Sequence, residues 1–140
     1  MATYSTYVDH TPIARAAGSN AAGVPAYTII ENVFDAAHRN LVAADVVELV
    51  DIPAGTMVQK VFVQVENGET GTINLGDAAD ADGYVAAGNV AVDGTRMVGA
   101  GALAGGKFYA EAGKLLLTVP AATTFATLRI KVQLAVVQIG

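Results

Sequence analysis

The residues best suited to chemistry are the carboxylates of Gly76-Asp77-Ala78-Ala79-Asp80-Ala81-Asp82-Gly83. Aspartates spaced this closely, closed by a glycine, supply the oxygen atoms that hard cations such as calcium take as ligands. An EF-hand loop needs acidic or amide side chains at alternate positions and a bidentate glutamate at the twelfth. With Asp82-Gly83 as the fifth and sixth positions, Ala78 falls first and Asn89 twelfth, so that pattern fails. Two readings stay open: a looser calcium site made by Asp77, Asp80 and Asp82, or a solvated acidic loop between strands. The solvated loop is the expectation, with no metal and no cofactor.

The other candidates are sparser. His10 and His38 fall on different irregular segments, with no further ligands spaced to join them. Ser5 and Ser19 are the only serines, and neither sits in a nucleophile elbow. Asp45, Glu48, Asp51 and Glu66 fall on or near apolar runs. A carboxylate pair for glycoside hydrolysis would also want aromatics for the sugar, yet Trp is absent and aromatic residues are 6%. Gly94, Gly99, Gly101, Gly105 and Gly106 follow no phosphate-loop spacing. No catalytic residue is predicted, and the chain is not expected to be an enzyme.

The elements that would carry these residues are strands. In Thr127–Val136, Leu128, Ile130, Val132, Leu134 and Val136 fall on one face, with Arg129, Lys131 and Gln133 on the other. That period of two is a strand with one face in a core. Arg129 and Lys131 then either pair with acids across a sheet or subunit boundary or form a solvated face. Met57–Glu66 repeats the pattern through Val61, Val63 and Val65. Further β-rich runs are Ala26–Phe34, Val46–Ile52, Thr70–Leu75, Lys107–Tyr109 and Leu115–Val119. Pro53-Ala54-Gly55 marks a turn, and Asn67-Gly68 predicts a hairpin joining Thr56–Glu66 to Thr70–Leu75. Val98–Gly106, rich in Gly and Ala, reads as an irregular loop. Six to eight short strands at intervals of roughly ten residues predict an all-β fold, a β-sandwich or jelly-roll-like barrel over residues 26–140. Residues 1–25 lack periodicity and are expected either to be disordered or to form an extended N-terminal arm that orders on a neighbouring subunit. Tyr4, Tyr7, Val8 and Ile13 make that segment more apolar than a linker needs.

Composition narrows the function classes. Of 140 residues, 53% are hydrophobic and only 15% charged. Ordinary soluble domains carry roughly 25% charged residues. So little charge predicts either an unusually apolar exposed surface or, the favoured reading, surface buried against copies of the chain or a partner. The net charge of −5, with Lys and Arg scattered, argues against nucleic acid and against an anionic membrane. The absence of cysteine excludes disulfides and thiolate metal sites. The first ten residues have no basic or apolar signal-peptide region, so synthesis in the cytoplasm is expected.

Three local patterns together resemble small virion structural proteins of tailed bacteriophages. They are Val50-Asp51-Ile52-Pro53-Ala54-Gly55-Thr56, Ile73-Asn74-Leu75-Gly76-Asp77 through Asp82-Gly83-Tyr84, and Leu117-Thr118-Val119-Pro120-Ala121-Ala122. The resemblance spans residues 45–139 and rests on turns and strands, so it transfers no catalytic residue. It implies a capsid decoration or cement protein, a compact β-domain with an N-terminal arm. Such a protein sits on the capsid surface as a homo-oligomer, with a trimer favoured, against the major capsid protein. Tyr4, Tyr7, Val8, Ile13, Arg129 and Lys131 are then the candidate interaction residues. The alternatives are a tail or head–tail connector component, or a calcium-dependent ligand-binding β-module.

Overall fold

The computed structural model describes residues 3–5, 13–17, 27–103, 105–120 and 123–139. The strands are β1 (Thr3–Ser5), β2 (Ile13–Ala17), β3 (Tyr27–Asp35), β4 (Val46–Ile52), β5 (Thr56–Asn67) and β6 (Thr72–Gly76). They continue as β7 (Val85–Asn89), β8 (Arg96–Val98), β9 (Lys107–Tyr109), β10 (Gly113–Thr118) and β11 (Arg129–Gln138). No helix occurs among the described residues. One sheet has the order β1-β4-β10-β6-β7. The other has the order β2-β3-β11-β5-β8, with β9 also on β5. Every pairing is antiparallel except β1 with β4. The two sheets form the expected β-sandwich.

The alternation seen in the sequence sets the core. Leu128, Ile130, Val132, Leu134 and Val136 are all buried, as are Val61, Val63 and Val65 beside them on β5. They meet Val47, Leu49, Leu75, Leu115 and Leu117 of the facing sheet. A register shift at Ala135/Val136 breaks the period, which is why Val136 and its neighbour Val137 are both inside. Asn32 is one of the buried polar residues. Its side-chain amide reaches from β3 across the gap to the Leu49 carbonyl on β4, 2.6 Å away.

Two expectations are corrected. Asn67-Gly68 is not a hairpin turn: β5 lies in one sheet and β6 in the other, paired with β10 and β7. Gly68 does not use its freedom for positive φ, and its amide instead donates to Asp93 Oδ1 as the chain crosses the sandwich. β9 is the short strand expected at Lys107–Tyr109, but the strand count still exceeds six to eight, because β1, β2 and β8 have five residues or fewer and are too short to display a period. Two of these fall within residues 1–25: β1 pairs with β4, and β2 pairs with β3. The Pro53-Ala54-Gly55 turn is as expected, with Gly55 at φ 80° and its amide donating to the Tyr109 carbonyl.

Candidate functional site

The acidic loop follows β6 and is built around Asp77, which is buried. Asp77 Oδ1 accepts the amides of Ala79 and Asp80 at 3.0 and 2.9 Å. Oδ2 accepts from Lys107 Nζ at 2.5 Å and from the Tyr109 hydroxyl at 2.8 Å. Lys107 and Tyr109 are two apart on β9, so alternation sends both inward and leaves Phe108 between them facing out. The Lys107 ammonium also lies 4.9 Å from the centre of the Tyr109 ring. The Tyr84 hydroxyl is 2.8 Å from that of Tyr109. Because Tyr109 gives its one proton to the carboxylate, Tyr84 is the donor to Tyr109.

Charge states follow from this chain. Burial pushes the Asp77 carboxyl up, but the bonds from Lys107, Tyr109 and the Asp80 amide, with the Lys107 charge, outweigh it and hold the group below the usual aspartate range. Burial, the Tyr84 and Asp77 bonds and the nearby negative charge push the Tyr109 phenol far above its ordinary value. At neutral pH the cluster is a carboxylate, an ammonium and two neutral phenols. It fastens the loop after β6 in one sheet to β9 on the edge of the other.

Asp77 accepts four hydrogen bonds from protein donors, two from amides of its own loop and two from side chains of β9. Among the described residues no group of three or more His, Cys, Asp or Glu side chains is arranged to hold a metal. Asp82 is exposed and Asp80 partly exposed. The side-chain bond to Asp82, helped by burial and the charges of Asp82 and Asp77, raises the Asp80 carboxyl.

The remaining predicted residues are dispersed. Arg129 pairs with Glu66 on β5 at 3.1 Å, and Lys131 with Glu31 on β3 at 3.7 Å. Both therefore bridge strands of their own sheet. Gln133 donates to the same Glu31 at 3.3 Å. Tyr4 lies opposite Val47 in the register of β1 and β4, and Ile13 opposite Glu31 in that of β2 and β3. Tyr7, Val8 and His10 lie outside the described residues. His38 is exposed on the turn after β3. Glu48 and Asp51 face Lys114 on the opposite sheet's outer surface, at 3.3 and 3.7 Å.

Two features escaped the sequence reading. Glu69 Oε1 accepts three successive amides, those of Ala126, Thr127 and Leu128, at 2.8 to 3.0 Å. Burial pushes this carboxyl up, yet the three amides prevail and hold it low. The second is a depression of about 330 Å³ on the outer face of the β11 sheet, lined by Phe62, Gln64, Arg96, Met97, Val98 and Lys131 among others. The alternation of Phe62 and Gln64 with buried valines was the available signal for it.

Neither a family model nor a curated protein matches the chain. Solved structures do. A chain of the capsid of Ralstonia phage GP4 superposes with a TM-score of 0.65 at 20% identity, covering 100% of this chain and 99% of that one. A chain of the cyanophage Pam1 capsid gives 0.62 at 16%, covering 88% and 92%. A chain of the acid-stable capsid of Helicobacter pylori bacteriophage KHP30 gives 0.59 at 15%, covering 89% and 93%. The protein shares the fold of these chains over nearly its whole length.

Proposed function

We propose that this protein is a non-enzymatic structural component of a bacteriophage virion. It decorates the head, bracing neighbouring major capsid protein subunits from the capsid surface after synthesis in the host cytoplasm. The observation that supports this is the fold shared, almost end to end, with chains solved within three phage capsids. The sparse charge agrees with a surface meant to be covered. In this reading the protein acts as a homo-oligomer, with a trimer favoured. Residues 1–25 serve as an arm whose Tyr4, Tyr7, Val8 and Ile13 reach the shell. Each contact is weak and is reinforced by effective concentration once its neighbours are bound.

The test is sedimentation of purified protein with shells that lack it, followed by heating of the loaded shells. Co-sedimentation and a raised shell melting temperature are expected. Protein that stays in the supernatant at every concentration overturns the reading.

A further inference from the structure

The sandwich leaves apolar surface uncovered along one edge. β7 and β8 are the terminal strands of their sheets on that side. Val92, Val98 and Phe108 are three of the five large apolar residues exposed among the described residues, and all lie on or beside β8 and β9. The depression described above lies along β8, floored by Phe62, Met97 and Val98. A second, of about 250 Å³, opens between β7 and β8 and is lined by Val85, Ala86, Met97 and Val98 among others.

Charge identifies the occupant. Lys131, at the rim, already faces Glu31. Arg96, also at the rim, is exposed and has no carboxylate partner among the described residues. The chain itself carries the complement. Asp82 is exposed and Asp80 partly exposed, a side-chain hydrogen bond links the two, and neither pairs with a cation among the described residues. Their loop is preorganised, because Asp77 is fixed by Lys107, Tyr109 and two amides. No ion pair joins this loop to Arg96 within one copy.

We propose that the Asp80–Asp82 loop of one copy docks on Arg96 at the β8 edge of a second copy, with Phe62 and Val98 excluding water around the contact. The contact closes either as a two-fold pair, each loop meeting the other copy's Arg96, or as a ring where the rotation permits. An ion pair at the rim of an apolar contact sets register and partner choice, and like charges placed there are strongly unfavourable. This inference rests on reading the chain as an assembling structural protein and names the surfaces by which copies join.

The experiment is light scattering coupled to size exclusion across a concentration series, on the full chain and on Arg96→Glu, Asp82→Lys and the double variant. Circular dichroism checks the fold, which neither exposed site is expected to disturb. The wild type should be oligomeric. Each single reversal should raise the concentration needed for assembly about tenfold or more, and the double reversal should recover most of it. Sodium chloride at about 0.5 M should weaken wild-type assembly. A wild type that stays monomeric overturns the proposal. So do single reversals that assemble normally, or a double variant no better than the worse single. A monomeric wild type that still loads shells would sink this interface and leave the decoration reading standing.

Discussion

Replacing Tyr109 by Phe removes one oxygen and breaks two bonds of different kinds. Asp77 loses a charge-assisted donor at 2.8 Å, and the Tyr84 hydroxyl loses its acceptor while buried. A hydrogen bond to a charged group is worth about 1.5–3 kcal/mol, and an orphaned buried polar group costs about 1–3 kcal/mol. The two losses overlap, so about 3 kcal/mol is expected. Tyr84→Phe is the control: Tyr109 keeps its proton on Asp77 and loses only an incoming bond, so about 1 kcal/mol is expected. Denaturant unfolding measures both. Tyr84→Phe/Tyr109→Phe should be no worse than Tyr109→Phe alone, since the orphaned hydroxyl is gone. The pH dependence has a definite sign. The folded Asp77 carboxyl is held below its ordinary value of 3.8, so its contribution is full above that pH and fades as pH falls through the folded value. The gap between wild type and Tyr109→Phe should therefore be full at pH 7 and narrow below about pH 4. Tyr84→Phe costing as much as Tyr109→Phe, or a gap that widens in acid, would refute the assigned direction of the protons.

Glu69→Ala frees three amides at the entry to β11 and should cost about 1 kcal/mol, as loss of a helix cap does, read as a melting shift of about 3 °C. Because the Glu69 carboxyl is held below its ordinary 4.5, that contribution is present above pH 4.5 and disappears as acid titrates the folded group. Gly76→Ala places a Cβ against the backbone of Asp80 and Ala81, which cannot retreat without opening the loop, so a loss of about 1–3 kcal/mol is expected in urea unfolding. Leu134→Ala hollows the centre of the core on β11 and should cost about 2–5 kcal/mol in the same assay.

Legibility followed the length of the signal. β11 and β5 have ten and twelve residues, enough alternation to reveal both their core faces and their extents. β8 has three and is fixed by pairing with β5, a partner distant in sequence that no local pattern encodes. Asn67-Gly68 misled because the pair permits a tight turn without requiring one, and the choice is made by the sheets on either side. The acidic loop was legible as a cluster of carboxylates. That Asp77 turns inward to Lys107, thirty residues away, is a consequence of packing. The exposed edge was foreshadowed only in bulk, by how little charge the chain has to cover itself.

β11 lies between β3 and β5, at the centre of its sheet. Translation delivers it after every other described strand, so a chain emerging from the ribosome carries β3 and β5 with nothing between them until residue 138 is free. Folding must then wait for synthesis to pass that point, and its distant pairings place it among slow-folding topologies. A product that stops short lacks the middle of a sheet, not a peripheral strand, and leaves two open edges that invite aggregation and proteolysis. The order of the strands thus ties closure of the sheet to the synthesis of β11.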